Sequence, residues 1–220
     1  MSYLLHIETA TKVCSVALSK DGKLVQLREI ADDQFSHGEK LTLLIQGVID
    51  LEKIEMKNLS AVSVSAGPGS YTGLRIGVST AKGLCYALSI PLISIDTLTS
   101  MVQDESLKGC NKSICSMIDA RRMEVFSSLF NSDRECIKLA SPDVLDETTY
   151  SEFEPFICIG DGAEKTKDLW RNRSIEYRDS FQISAKTQIE LAYKKYLDQE
   201  FEDVAYFEPN YIKAFHDTRK

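Results

Sequence analysis

The residues best suited to bind a ligand lie in a glycine-rich segment, residues 65–77, which reads SAGPGSYTGLRIG. The segment joins a short β-branched strand to a helix, and the first turn of such a helix presents N–H groups and the positive end of the helix dipole to an anion. A P-loop requires GxxxxGK followed by Ser or Thr, and a dinucleotide-binding turn requires GxGxxG. Counted from Gly67, Thr72 stands where each pattern needs a glycine. The spacing therefore argues against both common nucleotide-binding motifs.

The other candidates for catalysis form no recognised constellation. The sequence contains neither an HExxH zinc-protease helix nor a GxSxG nucleophile elbow. Asp119 and Glu124 flank a predicted strand turn that carries Arg121 and Arg122, but no nucleophile accompanies them. We interpret this turn as a solvated one, with contact to a phosphate or a partner's acid as the alternative.

The charge balance argues against a protein that binds nucleic acid by itself. The formal net charge of the 220-residue chain is −7, and Lys and Arg form no run longer than a pair. Nucleic-acid-binding proteins usually carry a basic patch or stripe. We therefore expect any contact with RNA to be made through a partner.

The cysteines and the apolar runs predict a cytoplasmic protein without membrane contact. None of the six cysteines forms a CxxC pair, so we expect buried thiols in a reducing compartment. The N-terminus MSYLLHIETA has no basic n-region and predicts a strand, not a signal peptide. No apolar run approaches the roughly 20 residues of a membrane span.

The hydrophobic pattern predicts the element order β-β-β-α-β-α-β-α over the first hundred residues. Alternating runs predict an antiparallel meander, and Ser36 with Glu39 forms a capping box for the first helix. In the second half we predict strands and two helices, and we divide the chain into an N-terminal lobe, residues 1–105, and a C-terminal lobe, residues 106–220. The last helix and the tail are expected to pack back on the first lobe. The predicted strands are 3–8, 14–19, 24–30, 59–65, 91–95, 113–119, 123–130 and 155–159, and the main helices are 36–52, 72–88, 163–170 and 184–196.

Two glycines four residues apart distinguish the helix after the glycine-rich turn. Gly73 and Gly77 share one face, and each glycine in a helix interior costs about 1 kcal/mol relative to alanine. Some other chain segment must therefore come close to this helix backbone. Either the helix packs tightly within its own chain, or the face docks another chain.

Four segments of the sequence resemble the TsaB family (YeaZ-like), the non-catalytic, dimerising paralogues of TsaD in bacterial tRNA threonylcarbamoyladenosine synthesis. They are SAGPGSYTGLRIGVSTAKGL at 65–84, LHIETATKVCSVAL at 5–18, IDARRMEVF at 118–126 and EPNYIKAF at 208–215. The resemblance implies an α/β protein with the actin-like ATPase (ASKHA) fold of sugar kinases and heat-shock ATPases. Such a fold has two similar lobes, each with a mixed sheet flanked by helices.

The resemblance also implies which sites are missing. TsaD-type proteins are expected to bind iron or zinc through two histidines four apart on the first helix, since imidazoles at i and i+4 share a face. Here His37 is followed at that spacing by Leu41, so we expect no metal site and place His37 at the surface of the helix start.

By the same resemblance, Thr9 and Thr11 stand at the phosphate hairpin of the actin-like fold, and Gly160 and Gly162 resemble an adenosine loop. We treat these four residues as weak cofactor-binding candidates. We expect no cofactor to be bound by this chain alone, with ATP or ADP at a subunit boundary as the alternative.

The resulting hypothesis is a non-catalytic subunit that docks and activates a TsaD-like transferase, which modifies the adenosine next to the tRNA anticodon. The expected partners are a TsaD-like paralogue and a TsaE-like ATPase, with a homodimer when the chain is alone and tRNA bound only through the complex. The alternatives are a self-contained nucleotide-dependent kinase or transferase of the actin-like fold, and a protease that acts on TsaD. The predicted interface residues are Leu41, Leu44, Ile45, Val48, Tyr71, Gly73, Leu74, Gly77, Val78 and Ala81.

Overall fold

The structure is a computed structural model that describes residues 1–31 and 37–212. Its first half is built on a five-stranded mixed sheet with the strand order β3-β2-β1-β4-β5. The first three strands pair antiparallel, as the predicted meander requires, whereas β4 and β5 continue the sheet in parallel. The strands are β1 (Tyr3–Glu8), β2 (Val13–Lys20), β3 (Lys23–Ala31), β4 (Leu59–Gly67) and β5 (Leu92–Asp96).

The second half repeats this arrangement. Its sheet has the order β10-β9-β6-β7-β8, which is the first order read from the opposite edge. Here too a three-stranded antiparallel meander is extended by two parallel strands. The sequence pattern did not predict β8 or β10. The strands are β6 (Ser113–Asp119), β7 (Glu124–Phe130), β8 (Cys136–Val144), β9 (Phe156–Ile159) and β10 (Ile175–Tyr177).

Two long helices cover one face of the first sheet. They are α1 (His37–Glu52) and α2 (Tyr71–Leu88), and both contribute to a single apolar core with alternate residues of the strands beneath them. Ser36 of the predicted capping box lies outside the described residues. Asp96 caps the short helix α3 (Thr97–Met101), because its carboxylate accepts the Thr99 N–H.

The opposite face of the first sheet is covered by the C-terminal helix α5 (Ile189–Leu197). Ala192 packs there against Leu4, Ala61 and Ile93. The helix predicted over 163–170 is only partly α-helical, because a 3-10 helix, Asp161–Lys165, precedes a single α-turn, α4 (Thr166–Leu169). The lobe division at residue 105 stays a prediction.

A buried polar network fastens the C-terminal segment to the first sheet. The His6 ring nitrogens lie 2.7 Å from the Ser63 hydroxyl and 2.8 Å from the Ser19 hydroxyl. Ser63 donates in turn to Gln188 Oε1, and Gln188 Nε2 donates to the Ile7 carbonyl at 3.0 Å. Because these groups are fully buried, each depends on its partners for hydrogen bonding.

The cysteines agree only in part with the burial predicted above. The six thiols are unpaired, and Cys14, Cys85, Cys115 and Cys158 are buried, but Cys136 is exposed on β8. None of the helices in the described part of the chain is long and apolar enough to cross a membrane.

The buried histidine predicts a pH dependence of stability. Burial lowers the pKa of His6 from 6.5 to about 3, so below pH 6.5 the unfolded chain binds a proton that the folded chain does not. Stability is therefore lost as the pH falls from 6.5 towards 3, with a slope of up to about 1.4 kcal/mol per pH unit from this group. Urea unfolding at pH 7, 6 and 5 should show a smaller loss for His6→Gln than for the wild type. Equal losses in both proteins would contradict the assignment.

Candidate functional site

The glycine-rich turn between β4 and α2 uses its own polar groups within the chain. The Ser70 hydroxyl caps α2 by accepting the Gly73 N–H at 3.2 Å. The Ser70 N–H donates to the Ala10 carbonyl at 2.6 Å, and the Leu74 N–H donates to the Ser70 carbonyl at 2.8 Å. Three N–H groups of this turn, those of Ser70, Gly73 and Leu74, thus donate to acceptors of the chain itself.

The two helix glycines allow α2 to lie directly on the turn between β1 and β2. A Cβ atom on Gly73 would stand 2.1 Å from the Thr9 carbonyl oxygen, and one on Gly77 would stand 2.3 Å from Thr9 Oγ1. The Thr9 hydroxyl donates to the Gly73 carbonyl at 2.8 Å. Tight packing within the chain therefore accounts for both glycines.

The positions of the predicted interface residues correct the sequence-based picture. Apart from Tyr71, which is half-buried, all of them are buried in the chain's own core. Their helical periodicity arises because they face the first sheet, so their side chains are not accessible to a partner. The nine buried residues are Leu41, Leu44, Ile45, Val48, Gly73, Leu74, Gly77, Val78 and Ala81.

The outer faces of the same helices carry different residues. On α2, Arg75, Ser79, Gly83 and Ala87 are exposed and follow one another at intervals of four, which aligns them along one side of the helix. We call these four residues the outer stripe. A Cβ atom on Gly83 would meet nothing within 4 Å.

Large apolar side chains lie exposed on both helices. Leu43 and Leu51 of α1 are 70% and 49% exposed, and Tyr86, beside the outer stripe on α2, is 84% exposed. A surface that combines small residues with exposed apolar side chains has the composition of an interaction surface. The sequence contained this signal, since these positions fall opposite the buried face of each helix.

The C-terminal tail closes over the start of α2. The Asn210 N–H donates to the Ala66 carbonyl at 2.6 Å, and the Tyr211 ring lies 4.7 Å from the Tyr71 ring, centroid to centroid. Arg75 donates to the Tyr211 hydroxyl at 3.3 Å. Sequence reasoning expected the tail to pack back on the first lobe, but it did not identify these partners, because no local pattern links the tail to a turn more than a hundred residues earlier.

The hairpin between β1 and β2 is likewise occupied by intrachain contacts. Glu8 is fully buried, burial raises its pKa, and its carboxylate accepts from the Ser65 hydroxyl and from the Ala10 N–H. His37 is buried as well, with its Nε2 2.7 Å from the Thr11 carbonyl oxygen. The surface position predicted for His37 is wrong, because this contact draws the ring under the hairpin.

A cavity of about 450 Å³ brings together two of the four weak cofactor candidates, Thr11 and Gly160. Thr9 instead lies buried beneath α2, and Gly162 is buried against Met117 and Ile118. The volume suits a small molecule. The cavity is lined by Lys12, Asp161, Glu164, Lys167, Arg178 and Asp179 among others.

The charges of this cavity compensate one another in part. Lys167 forms ion pairs with Glu164 and with Asp179, the latter at 2.9 Å, and Arg178 pairs with Glu176 at 2.7 Å. Among residues 1–31 and 37–212, no group of three or more His, Cys, Asp or Glu side chains could hold a metal ion.

Comparison with known proteins identifies the family. The family profile described as "TsaD: tRNA N6-adenosine threonylcarbamoyltransferase" matches residues 29–211. The chain is 26% identical to the tRNA threonylcarbamoyladenosine biosynthesis protein TsaB of Escherichia coli K12, over 96% of this chain and 94% of that protein. The TsaB protein of Buchnera aphidicola subsp. Acyrthosiphon pisum is 31% identical over 76% of this chain and 72% of its own length. The chain belongs to the TsaB group of the TsaD family.

Solved structures place the TsaB-group chain in the actin-like ATPase fold, which confirms the fold expected from the resemblance. YeaZ from Pseudomonas aeruginosa superposes with a TM-score of 0.82 at 21% identity, over 96% of this chain and all of that chain. The ROK hexokinase from Thermus thermophilus superposes with a TM-score of 0.52 at 8% identity, over 89% and 99% of the two chains. At these identities the likeness concerns the fold alone.

The packing of α2 on Thr9 predicts opposite effects for two similar substitutions. Gly73→Ala gains about 1 kcal/mol of helix propensity but forces a methyl group against a backbone oxygen, at a cost of about 3 kcal/mol. We expect a net loss of about 2 kcal/mol in the free energy of unfolding. Gly83→Ala, with open space around its Cβ, should gain about 1 kcal/mol. Urea unfolding of the two variants measures both effects, and equal stabilities would rule out the close approach.

Proposed function

We propose that this chain is a partner subunit in tRNA threonylcarbamoyladenosine synthesis, and that it docks and activates a TsaD-like transferase. Membership of the TsaB group supports the pathway, because relatives carry that name. The observation that carries the docking role is the outer surface of α1 and α2. It combines the outer stripe with Leu43, Leu51 and Tyr86.

The layout of the first sheet supports docking through these helices. α1 and α2 lie side by side on one face of the sheet, and their inner residues fill a shared core. Two adjacent rigid helices can pack against two helices of a homologous chain, and small residues along the stripe let the backbones approach closely. The proposed interface is therefore still formed by α1 and α2, but through their exposed residues and not through the buried residues predicted from the sequence.

The hairpin supports an accessory role over a catalytic one. Thr9 donates to α2, Glu8 is engaged by Ser65 and Ala10, and the Thr11 carbonyl oxygen contacts His37. A phosphate bound at this hairpin would have to displace these contacts. In this proposal the chain acts by binding its partner through its surface, and the partner catalyses the threonylcarbamoyl transfer.

The assembly we propose is a heterodimer with the TsaD-like paralogue, joined by a TsaE-like ATPase, with tRNA held by the complex. Alone, the chain should cover the same apolar surface by forming a homodimer. ATP or ADP at the subunit boundary remains part of this proposal.

Gly83 offers a direct test of docking. Gly83→Arg places a long side chain on the outer stripe where nothing lies within 4 Å, so the chain should fold normally. We expect co-purification with the TsaD-like paralogue to be abolished, while Gly83→Ala, which adds one methyl group at the same place, retains it. Circular dichroism of both variants is the control that checks whether they are folded. Normal co-purification of Gly83→Arg would show that the outer stripe of α2 is not part of the interface.

An in vitro assay with purified paralogue and tRNA tests activation separately. Threonylcarbamoyl incorporation should require the wild-type chain and should fall with Gly83→Arg to the level seen without it. Incorporation that is unaffected by the presence of the chain would contradict the proposed function.

The self-contained kinase is tested by calorimetry with ATP and Mg²⁺. Because the hairpin groups are engaged within the chain, we expect no binding heat for the chain alone. Binding accompanied by turnover would favour the kinase, and the cavity lined by Thr11 and Gly160 would then be its site.

A further inference from the structure

An aromatic and cationic cluster stands at the N-terminal end of the outer stripe. The Arg75 guanidinium lies over the Tyr71 ring, 4.1 Å from its centroid, and Tyr71 contacts Tyr211 of the tail. The Arg75 Nε–H donates to the Tyr211 hydroxyl at 3.3 Å. One face and one donor of the guanidinium are thus fixed by the protein itself.

The tail that supplies Tyr211 is fastened along its length. Glu202 bridges to Leu92 at the edge of the first sheet, and Lys82 donates to the carbonyls of Ala205 and Phe207 at 3.2 and 2.9 Å. Asn210 then lies against Gly67, where a Cβ atom would stand 2.6 Å from the Asn210 carbonyl oxygen. These contacts hold Tyr211 in place and so limit the rotamers open to Arg75.

The remaining donors of Arg75 are available at the surface. Within residues 1–31 and 37–212, the Tyr211 hydroxyl is its hydrogen-bond acceptor, and no carboxylate of this part of the chain pairs with it. Glu208 attracts the guanidinium electrostatically but forms no ion pair with it. The two terminal amino groups therefore present a planar fork, which suits a carboxylate bound through both oxygens.

The charges around the cluster favour a protein carboxylate over RNA phosphate. A surface that follows an RNA backbone needs several cations in a row. Here the chain carries a net charge of −7, and Lys82, the next cation along α2, is occupied by two backbone carbonyls. A single oriented guanidinium beside small and apolar residues has the composition of a hot spot in a protein interface.

We propose that Arg75, positioned by Tyr71 and Tyr211, is the energetic anchor of the docking surface and binds an acidic side chain of the TsaD-like partner. This inference rests on the proposed function and adds to it the chemistry of the contact. Tyr211 of the tail is a positioning residue. Because it already orders the Arg75 side chain, that side chain loses less conformational entropy when the partner binds.

The test compares the affinity of three variants for the TsaD-like paralogue by titration calorimetry. Removing one partner of a buried charge pair costs 2 kcal/mol or more, so Arg75→Gln should weaken binding roughly thirtyfold or further. Arg75→Lys keeps the charge but loses the fork, and should fall between Arg75→Gln and the wild type. Arg171→Gln removes an exposed arginine in the second half of the chain and should bind like the wild type.

Tyr211→Phe separates positioning from mere packing. It keeps the ring on Tyr71 but removes the acceptor of the Arg75 hydrogen bond, so it should weaken binding in the wild-type background. In the Arg75→Gln background the same substitution should have no further effect, because there is no guanidinium left to position. Equal and additive losses in both backgrounds would overturn the positioning role.

The outcomes distinguish this inference from the function on which it rests. If the wild-type chain fails to bind the paralogue, the proposed function fails. If Arg75→Gln binds as tightly as the wild type, the anchor is overturned and the docking role stands. An effect of Arg75→Gln that appears only when tRNA is added would assign the contact to an RNA phosphate and would overturn the proposal that Arg75 binds a carboxylate of the partner.

Discussion

The contact between the α2 backbone and the turn between β1 and β2 is the constraint on which the rest of the structure depends. Gly73 and Gly77 let the helix descend until the Thr9 carbonyl and hydroxyl touch it. The helix backbone then lies so close to the hairpin that no side chain fits between them at Gly73 or Gly77. This close packing buries one side of α2 completely, and the opposite side carries the outer stripe. The same close packing therefore engages the hairpin and decides which residues of α2 face outward.

The sequence predicted the first half of the fold well because its elements are long and strongly periodic. Alternation identified the meander, and the 3.6-residue period identified α1 and α2. Periodicity shows which residues share a face, however, and not what that face contacts. The apolar faces assigned to a partner turned out to meet the first sheet, and the outer residues, such as Gly83 and Ser79, share the same period but are not apolar, so hydrophobic periodicity alone does not select them. The family and the fold followed from the resemblance instead.

The second half was harder to predict for identifiable physical reasons. β8 is an edge strand whose outer side is exposed, so Lys138 and Pro142 interrupt the alternation that would reveal it. β10 has only three residues and is half-buried. Thr11 and Gly160, suggested by resemblance, do line one cavity, whereas Thr9 and Gly162 are taken up by packing that only the three-dimensional contacts reveal.

The tail contact has a consequence for the order of events during synthesis. Tyr71 and Arg75 leave the ribosome first, and Tyr211, which completes their cluster, follows 136 residues after Arg75. A nascent chain can therefore fold its first sheet and helices while Arg75 is still unrestrained. Only a chain that has been synthesised as far as Tyr211 can hold the guanidinium in place. A product truncated before Tyr211 therefore lacks both the ring and the hydroxyl group that hold Arg75 at the start of α2.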